Sequence, residues 1–256
     1  MTASAADVGG GLLNKGLAAL QLVADRGSVT VGEVGTEVGL SRSTAYRLVD
    51  RLRTAGYLQE APTPGAVRLG PLAVRIGLAA LNQLGIMDVA PARLVALAQE
   101  AGETVNLGVP QRDEIVYVYQ AEGPGALKVT AHLGTRRPLS CSALGKAYLA
   151  ALPPDELANR LRRLALVRLT DSSIVDVRAF RNELDATVAR GYAVDEQEAE
   201  DGVACVGAAV RDYTGRPVAA ISIAGAAERM PGKRAAVVPL LTAAADDISQ
   251  RLGYLP

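Results

Sequence analysis

A short segment near the N-terminus constrains the fold more than any other part of the sequence. Thr30, with Glu33 three residues later, forms a capping-box pattern that predicts the start of a short helix. Gly39 and Leu40 then predict a tight turn, and Ser41 is a favourable N-cap for a second helix. Two helices joined by a glycine-containing turn are typical of a helix-turn-helix, so we expect this motif here.

Apolar residues at helical spacing predict a further helix ahead of this motif. They form one stripe that stops before Gly27: Leu13, Leu17, Leu20 and Val23. Residues 1–11 are small and polar, so we expect them to be disordered. The first predicted domain therefore covers residues 12–70.

The second helix of the motif has a basic face and an apolar face. At about 100° per residue, the apolar face holds Ala45, Leu48, Val49 and Leu52, and the opposite face holds Ser43, Tyr46, Arg47 and Asp50. Such a helix fits the major groove of DNA with its N-terminal residues at the base edges. Arg47 is suited to a bidentate contact with guanine. The alternative is that the arginines only make this helix face compatible with solvent and bind nothing.

The residues around Arg47 are suited to contacts with the DNA backbone. Hydroxyl groups and free amides at the start of the helix suit phosphate oxygens, and the later arginines lie further from the bases. After the helix, short apolar segments around a Pro/Gly turn predict a two-stranded wing, which could equally be a plain hairpin. The candidate DNA-binding residues are Ser41, Arg42, Ser43, Thr44, Tyr46, Arg47, Arg51, Arg53 and Arg68.

The overall composition excludes several classes of protein. The chain has 27 basic and 27 acidic groups in 256 residues, so contact with nucleic acid must come from a local patch. The apolar run "GLAALQLVA" is too short to span a bilayer and follows Asp7 rather than a basic leader. Cys141 and Cys205 lack framework spacing, so we expect reduced thiols in the cytoplasm. The single histidine, His132, argues against a His-rich metal site, and we expect no cofactor.

The rest of the chain predicts a linker helix and then a mixed domain. Residues 71–86 form an apolar helix that either packs against a second copy of itself, through Leu72 to Leu81, or is buried in its own chain. Pro91 is expected to open the next helix, which Gly102 ends. Residues 87–256 are expected to form an antiparallel sheet with flanking helices, so the fold class is α+β. The predicted strands are "ETVNLGV", "EIVYVYQ", "LKVTAHL", "GVACVGAAVRD" and "RPVAAISIAG".

The segment "SCSALGKA" predicts the start of a helix capped by Ser142. It is not a phosphate-binding P-loop, because Ser140 replaces the required glycine and Ala147 the hydroxyl residue. The free amides of such a helix start favour an anion, although an ordinary capped helix is the alternative. A thiol nucleophile at Cys141 beside His132 is weakly supported, since nothing in the sequence places the two side chains together.

Several blocks in the right order resemble the IclR family of bacterial transcription regulators, named for the isocitrate lyase regulator. In the first half the block is "GLSRSTAYRLVDRLRTAGYL", followed by "VRLG". In the second half the blocks are "LGTRRPLSCSALGKAYLA", "RGYAVDEQEAEDGVACVGAAVRD" and "VAAISIAG". The resemblance implies a winged helix-turn-helix, a linker helix and an effector-binding domain on a GAF/profilin-like sheet. It also implies a homodimer or homotetramer on a palindromic operator.

The resemblance also implies an effector pocket. Beside the helix cap Ser142, the matching positions are Ala143, Leu144, Asp195, Cys205 and Ser222. The chain departs from the family pattern at Ala224, where some relatives have serine, and at Ser140, where histidine is frequent. From these features we expect a cytoplasmic, sequence-specific DNA-binding regulator, a repressor rather than an activator, that a small organic acid controls.

Two other classes of function are compatible with a winged helix. The first is an enzyme with an accessory winged-helix domain, but no G-x-S-x-G, metal-ligand cluster or glycine-rich nucleotide loop supports it. The second is a winged helix used only for protein contacts, which salt-dependent binding to a defined DNA sequence would exclude. We therefore expect no catalytic residues and no membrane contact.

Overall fold

The computed structural model describes residues 11–83, 85–125 and 133–255, with the backbone alone for residues 78–83. The chain divides into two compact units, the first ending at Gln83, and each is described by itself. The expectation of disorder at the N-terminus falls on residues that are not described, apart from Gly11. No described helix is both long and apolar enough to cross a membrane.

The first unit is a small helical domain with a three-stranded antiparallel sheet in the order β1-β3-β2. Its elements, in chain order, are α1 (Leu12–Arg26), β1 (Val29–Thr30), α2 (Val31–Val38), α3 (Arg42–Thr54), β2 (Leu58–Glu60), β3 (Ala66–Leu69) and α4 (Pro71–Gln83).

Local capping interactions fix the turn between α2 and α3. The Thr30 hydroxyl accepts from the Glu33 amide at 3.2 Å, and the Glu33 carboxylate accepts from the Thr30 amide at 2.6 Å, so the predicted capping box is present. Gly39 ends α2 in the left-handed conformation, with φ of 67°. Ser41 then caps α3 by accepting from the amide of Thr44. The predicted helix-turn-helix is confirmed.

The helix α1 turns a different face to the core from the one that the leucine stripe indicates. Gly16, Ala19 and Val23 are its buried residues, whereas Leu13 and Leu17 are exposed. A Cβ atom on Gly16 would lie 3.6 Å from the Leu48 side chain, so the small residues let α1 approach α3 closely. The helix itself was therefore predicted correctly, but two of the four residues expected on its apolar face, Leu13 and Leu17, are exposed.

The wing is a β2–β3 hairpin, as expected, but it carries an additional strand. Val29 of β1 pairs with Val67 of β3 on the side away from β2. A strand of two residues offers no alternating pattern, so the sequence did not indicate it. Gly70 ends the hairpin where a Cβ would lie 2.4 Å from the carbonyl oxygen of Gly56, which explains the need for glycine there.

The second unit is a six-stranded antiparallel sheet, in the order β6-β5-β4-β9-β8-β7, with helices on both faces. Its elements are α5 (Ile86–Ala101), β4 (Thr104–Gln111), β5 (Glu114–Ala121), β6 (Arg136–Pro138), α6 (Ala143–Ala150), α7 (Pro154–Leu161), α8 (Val177–Arg190), β7 (Ala193–Glu196), β8 (Val203–Arg211), β9 (Pro217–Ala226) and α9 (Met230–Arg251).

Two apolar clusters sit on opposite faces of this sheet. On one face, α5 and α9 bury residues such as Leu97 and Leu241 against Val206 and Ile221. On the other face, α6 and α8 bury residues such as Leu144 and Phe180. The helix-covered antiparallel sheet confirms the predicted α+β class.

The structure corrects two details of the sequence prediction. Pro91 does not open a helix: α5 begins at Ile86, because the Asp88 carboxylate caps the Gly85 amide at 2.9 Å and burial of Leu94 stabilises the next turns. The strand β6 was not predicted. The predicted strand "LKVTAHL" falls on residues 127–133, of which only Leu133 is described.

Candidate functional site

The exposed face of α3 presents the side chains that the sequence assigned to DNA. Ala45, Leu48 and Val49 are buried against the rest of the first unit. The exposed residues of the helix include Arg42, Ser43, Tyr46, Arg47, Asp50 and Arg51. Because the buried residues fix the rotation of the helix, its polar face is set by packing rather than by the charges themselves.

The start of α3 gathers three hydroxyl groups. The Ser41 hydroxyl lies 2.8 Å from that of Thr44 and 3.3 Å from that of Ser43. The first amides of a helix carry partial positive charge and point out of its N-terminus. Hydroxyls and amides together form an arrangement that suits a phosphate oxygen.

The arginines of this surface differ in their partners. Arg53 forms an ion pair with Glu60 of β2 at 2.7 Å, and the Arg42 guanidinium lies 6.0 Å from the centre of the Tyr46 ring. The Arg47 side chain, by contrast, has no hydrogen bond or ion pair with any residue in the described part of the chain, and neither has the side chain of Arg68 on β3. Arg47 is thus available to an outside acceptor.

In the second unit the start of α6 lies directly on the sheet. Ser142 caps the helix by accepting from the Gly145 amide at 3.1 Å. A Cβ on Gly207 of β8 would lie 2.5 Å from the Ala143 carbonyl oxygen, and one on Gly108 of β4 would lie 3.1 Å from the Leu144 side chain. Glycines on two strands therefore let the helix N-terminus approach the sheet.

The remaining predicted effector residues lie on the sheet face that α6 covers. Asp195 of β7 pairs with Cys205 of β8, and Ser222 of β9 pairs with Gly207. Directly paired residues of antiparallel strands point to the same face, as do residues two apart. Asp195, Cys205 and Ser222 therefore share a face with Gly207, on which Ala143 rests. The structure brings all six predicted effector residues to one region.

Sequence reasoning missed two polar residues of this face. Asn106 of β4 pairs with Ser222 and accepts a hydrogen bond from Gln120 of β5 at 3.0 Å. Asn106 is only 2% exposed. The signal was present in "ETVNLGV", where Thr104 and Asn106 alternate with apolar residues and so point to one side of a strand.

Asp195 is almost fully buried and accepts a hydrogen bond from the Glu198 amide at 2.7 Å. Burial raises the pKa of its carboxyl group to about 7, and the neighbouring charge of Glu198 adds to the rise. Near neutral pH the group can therefore be either an acceptor or a donor of a hydrogen bond.

Lys146 is fully buried at the centre of an ionic cluster beside Asp195. Its ammonium group lies 2.5 Å from the carboxylate of Glu198 and 3.4 Å from that of Glu183, which also binds Arg190 at 2.6 Å. Burial raises the pKa of Glu198, whereas Lys146 opposes that rise. Removing one member of a buried pair costs about 3–5 kcal/mol, so this cluster holds α6 to the β7–β8 turn. In the sequence, Lys146 was notable only as part of "SCSALGKA", a segment that does not match the P-loop pattern.

Neither cysteine has the surroundings of a reactive thiolate. The Cys141 thiol donates to the carbonyl oxygen of Val167 at 3.0 Å, and burial raises its pKa. Burial also raises the pKa of Cys205 well above its usual range. His132 lies outside the described residues. In the described ranges no cluster of His, Cys, Asp and Glu could hold a metal ion.

A separate groove of about 330 Å³ lies at the end of the sheet and contains none of the predicted effector residues. Small side chains of α6, α8, β8 and α9 line it, among them Ala147, Val188 and Ala209. Arg211 and Asp246 are the charged residues that line the groove.

A winged helix-turn-helix with an available arginine, joined to a sheet domain with a buried polar site, defines a ligand-responsive DNA-binding protein. Comparison with known proteins then gives the family. The model of the IclR helix-turn-helix domain matches residues 12–62, and that of the bacterial transcriptional regulator IclR C-terminal domain matches residues 78–250. The chain belongs to the IclR family of bacterial transcriptional regulators.

Individual relatives match over nearly their whole length. The HTH-type transcriptional repressor AllR of Klebsiella pneumoniae is 34% identical over 98% of this chain and 93% of its own. The regulator BhcR of Paracoccus denitrificans is 33% identical over 87% of this chain and 80% of its own. The crystal structure of the repressor BlcR of Agobacterium tumefaciens is similar at a TM-score of 0.81, with 29% identity over 96% of this chain and 98% of that one.

These comparisons confirm the expected class of function. The chain is an HTH-type transcriptional regulator with an effector-binding C-terminal domain. Both family models and the relatives are regulators rather than enzymes, so an enzyme with an accessory winged helix is not favoured.

Proposed function

We propose that this protein is a cytoplasmic repressor that binds a palindromic operator and releases it when a small organic acid binds the second unit. Relatives named as repressors, AllR and BlcR among them, support the direction of regulation. The observation that carries the proposal is the convergence of a capped helix start with buried Asp195 and Ser222 on one sheet face. A structural core has no need of polar groups gathered in this way.

On the DNA side, Arg47 reads a base and its neighbours position the helix. A guanidinium binds the O6 and N7 atoms of guanine in a bidentate manner. Phosphate contacts come from the start of α3, the later arginines and the wing. The proposed contact residues besides Arg47 are Ser41, Arg42, Ser43, Thr44, Tyr46, Arg51, Arg53 and Arg68.

On the effector side, the ligand lies between the start of α6 and strands β7, β8 and β9. The amides that follow Ser142 donate to its carboxylate, and Ala143 and Leu144 contact its apolar part. Ser222 hydrogen-bonds the ligand, and Cys205 provides an apolar contact beside it. Asp195 accepts a hydrogen bond from a hydroxyl or amide group of the ligand. A hydroxylated or aromatic acid fits these groups better than a simple dicarboxylate does.

The protein acts as a dimer or tetramer, since one recognition helix covers only a few base pairs. Residues 71–86 link the DNA-binding domain of residues 12–70 to the effector-binding domain of residues 87–256, and the linker helix lies in the dimer contact. The exposed side chains of Val74 and Ile76 on α4 support this role. Effector binding then favours one arrangement of the paired DNA-binding domains over another.

Footprinting of the full-length protein on DNA upstream of its own and neighbouring genes tests the proposal. We expect protection of a palindromic site that hydroxylated or aromatic acids relieve. Losing one hydrogen bond to a charged ligand costs about 1.5–3 kcal/mol, so Ser222→Ala raises the effector concentration needed for release and leaves operator affinity unchanged. Release of the Ser222→Ala protein at wild-type effector concentrations would place the effector elsewhere.

A further inference from the structure

One ion pair joins elements from opposite edges of the six-stranded sheet. Arg137 lies on β6, at one edge, and Glu200 lies in the turn that follows β7, at the other edge. Their side chains nevertheless meet at 3.0 Å. The sheet must therefore curl until its two edges approach, and the Arg137–Glu200 pair spans the opening.

The strand register places Arg137 on the same face as the proposed effector site. Arg137 pairs with Ile115, whose side chain packs in the cluster under α6. Tyr117, two residues along β5, packs against the same cluster. The preceding residue, Arg136, points to the opposite face, where it binds Glu114 at 3.2 Å. Two adjacent arginines thus form ion pairs on opposite sides of one edge strand.

The charges of this ion pair act on groups of the proposed effector site. Burial raises the pKa of Tyr117, and charge on Cys205 and Asp195 adds to the rise. Arg137 opposes that rise, so its charge also reaches Tyr117. The carboxylate of Glu200 contributes to the raised pKa of Cys205. The pair therefore lies near Asp195 and Cys205, on the face that α6 covers.

Among the described residues of this face, Arg137 can exchange its partner more readily than Lys146 can. Lys146 is 0% exposed and is held by two carboxylates, so releasing it would leave buried charges unpaired. The side chains of Arg137 and Glu200 are 26% and 37% exposed, and an ion pair open to water holds together only weakly. A bidentate carboxylate from a ligand can replace Glu200 at little cost.

We propose that Arg137, together with the amides at the start of α6, binds the carboxylate of the effector and that the incoming acid displaces Glu200. The inference rests on the proposed function, because it takes the effector to be an organic acid. A contact with Arg137 makes it easier to place an acid near Asp195 and Glu198, since the positive charge of Arg137 balances the negative charge of the acid. Displacement also releases the turn of residues 197–202 from β6, so the two edges of the sheet are no longer joined by this ion pair when the acid is bound.

Opposite responses of two single variants test the proposal. Binding of lactate, benzoate and 4-hydroxybenzoate, and of their neutral amides, is measured by calorimetry on full-length wild-type, Arg137→Gln and Glu200→Gln proteins. Losing a charge-assisted contact weakens binding of the acid by roughly tenfold or more in Arg137→Gln. In Glu200→Gln the competitor is gone, so the same acid binds more tightly. Neither change affects binding of the amides.

Arg136→Gln is the matched control, because it breaks a comparable ion pair on the other face of β6. We expect wild-type affinity for the acids in this variant. If Arg137→Gln and Glu200→Gln both weaken binding, the pair only holds the sheet closed and the inference is wrong, whereas the proposed function stands. If none of the three acids binds either wild-type or Glu200→Gln protein, both the organic-acid effector and the inference are wrong.

Discussion

At the scale of single residues, Arg47 carries the proposed readout of DNA sequence. Its guanidinium is exposed and has no partner in the described ranges, whereas Arg53 is paired with Glu60. Arg47→Ala should remove about 1–3 kcal/mol of discrimination between the operator and an operator with one changed guanine. Fluorescence anisotropy with both DNA duplexes, at several salt concentrations, measures this difference.

Arg53→Ala serves as the comparison for Arg47→Ala. As a backbone contact, Arg53 should weaken binding to all sequences alike and reduce the salt dependence by about one counterion. Its surface pair with Glu60 is worth about 0–1 kcal/mol, so the fold should persist. If Arg47→Ala kept full discrimination, the proposed orientation of α3 in the groove would be wrong.

Asp195 predicts a dependence of stability on pH. Its pKa is raised from 3.8 to about 7 in the folded protein, so the folded state holds a proton that the unfolded state has lost. The free energy of unfolding therefore falls as the pH rises from about 4 to about 7, by at most about 1.4 kcal/mol per pH unit for this group. Asp195→Asn should remove this contribution, which urea unfolding at a series of pH values measures.

The pKa of Glu198 is also raised, and its charge adds to the rise at Asp195, so the difference between the two proteins measures Asp195 together with its coupling to Glu198. The Asn side chain keeps an oxygen that can accept from the Glu198 amide. Identical pH profiles for wild type and Asp195→Asn would contradict the assignment.

The sequence could indicate only part of the site at this scale. Asp195 and Ser222 were found because their positions match a family pattern. Asn106 and Gln120 were missed, since their roles depend on which strands become neighbours and on which way each strand faces. Arg137 was missed for the same reason: nothing local indicates that a residue of one edge strand meets the turn after the opposite edge strand.

At the scale of elements, the closeness of α6 to the sheet depends on glycine. A Cβ on Gly207 would lie 2.5 Å from the Ala143 carbonyl oxygen, and backbone atoms cannot yield cheaply. Gly207→Ala should therefore cost about 1–3 kcal/mol of unfolding free energy and displace the helix start. Chemical denaturation measures the loss, and effector binding should weaken in parallel.

Gly232→Ala is the control for Gly207→Ala. Gly232 lies within α9, and a Cβ there meets no atom within 4 Å. Alanine in an open helical position stabilises by about 0.4–1 kcal/mol. Equal stability changes in the two variants would show that α6 does not rest on β8 as closely as the structure has it.

Elements with local signals were predictable, and elements that depend on distant pairing were not. Ser41, Ser142 and Gly102 mark helix ends through their own hydrogen bonds and backbone angles, and all three positions were correct. By contrast, β6 has the sequence Arg-Arg-Pro, which lacks an apolar alternation and exists as a strand only because β5 lies beside it. The prediction that Pro91 opens a helix was wrong because the Asp88 cap starts the helix earlier.

At the scale of the whole molecule, the proposed two-fold assembly depends on α4. Ile76 is 49% exposed on this helix, and contact with a second copy of α4 would bury it. Ile76→Glu should shift the protein towards smaller species in sedimentation velocity and weaken operator binding. A buried charge in a protein interface is costly, so the shift should be clear at micromolar concentrations.

Val188→Glu provides a comparison, since Val188 is equally apolar and is 61% exposed on α8, outside the proposed contact. This variant should keep the wild-type assembly. A monomer that binds half an operator as tightly as the whole site would contradict the two-fold model.

The pairing of β4 with β9 also sets the order in which the chain matures. Thr104 pairs with Ala224, so the middle of the second sheet cannot form until the ribosome has made nearly the whole polypeptide. The strand pairings of the first unit all lie within residues 29–69, so this unit can fold while translation continues. A nascent or prematurely terminated chain therefore holds a finished DNA-binding unit before its sensor exists.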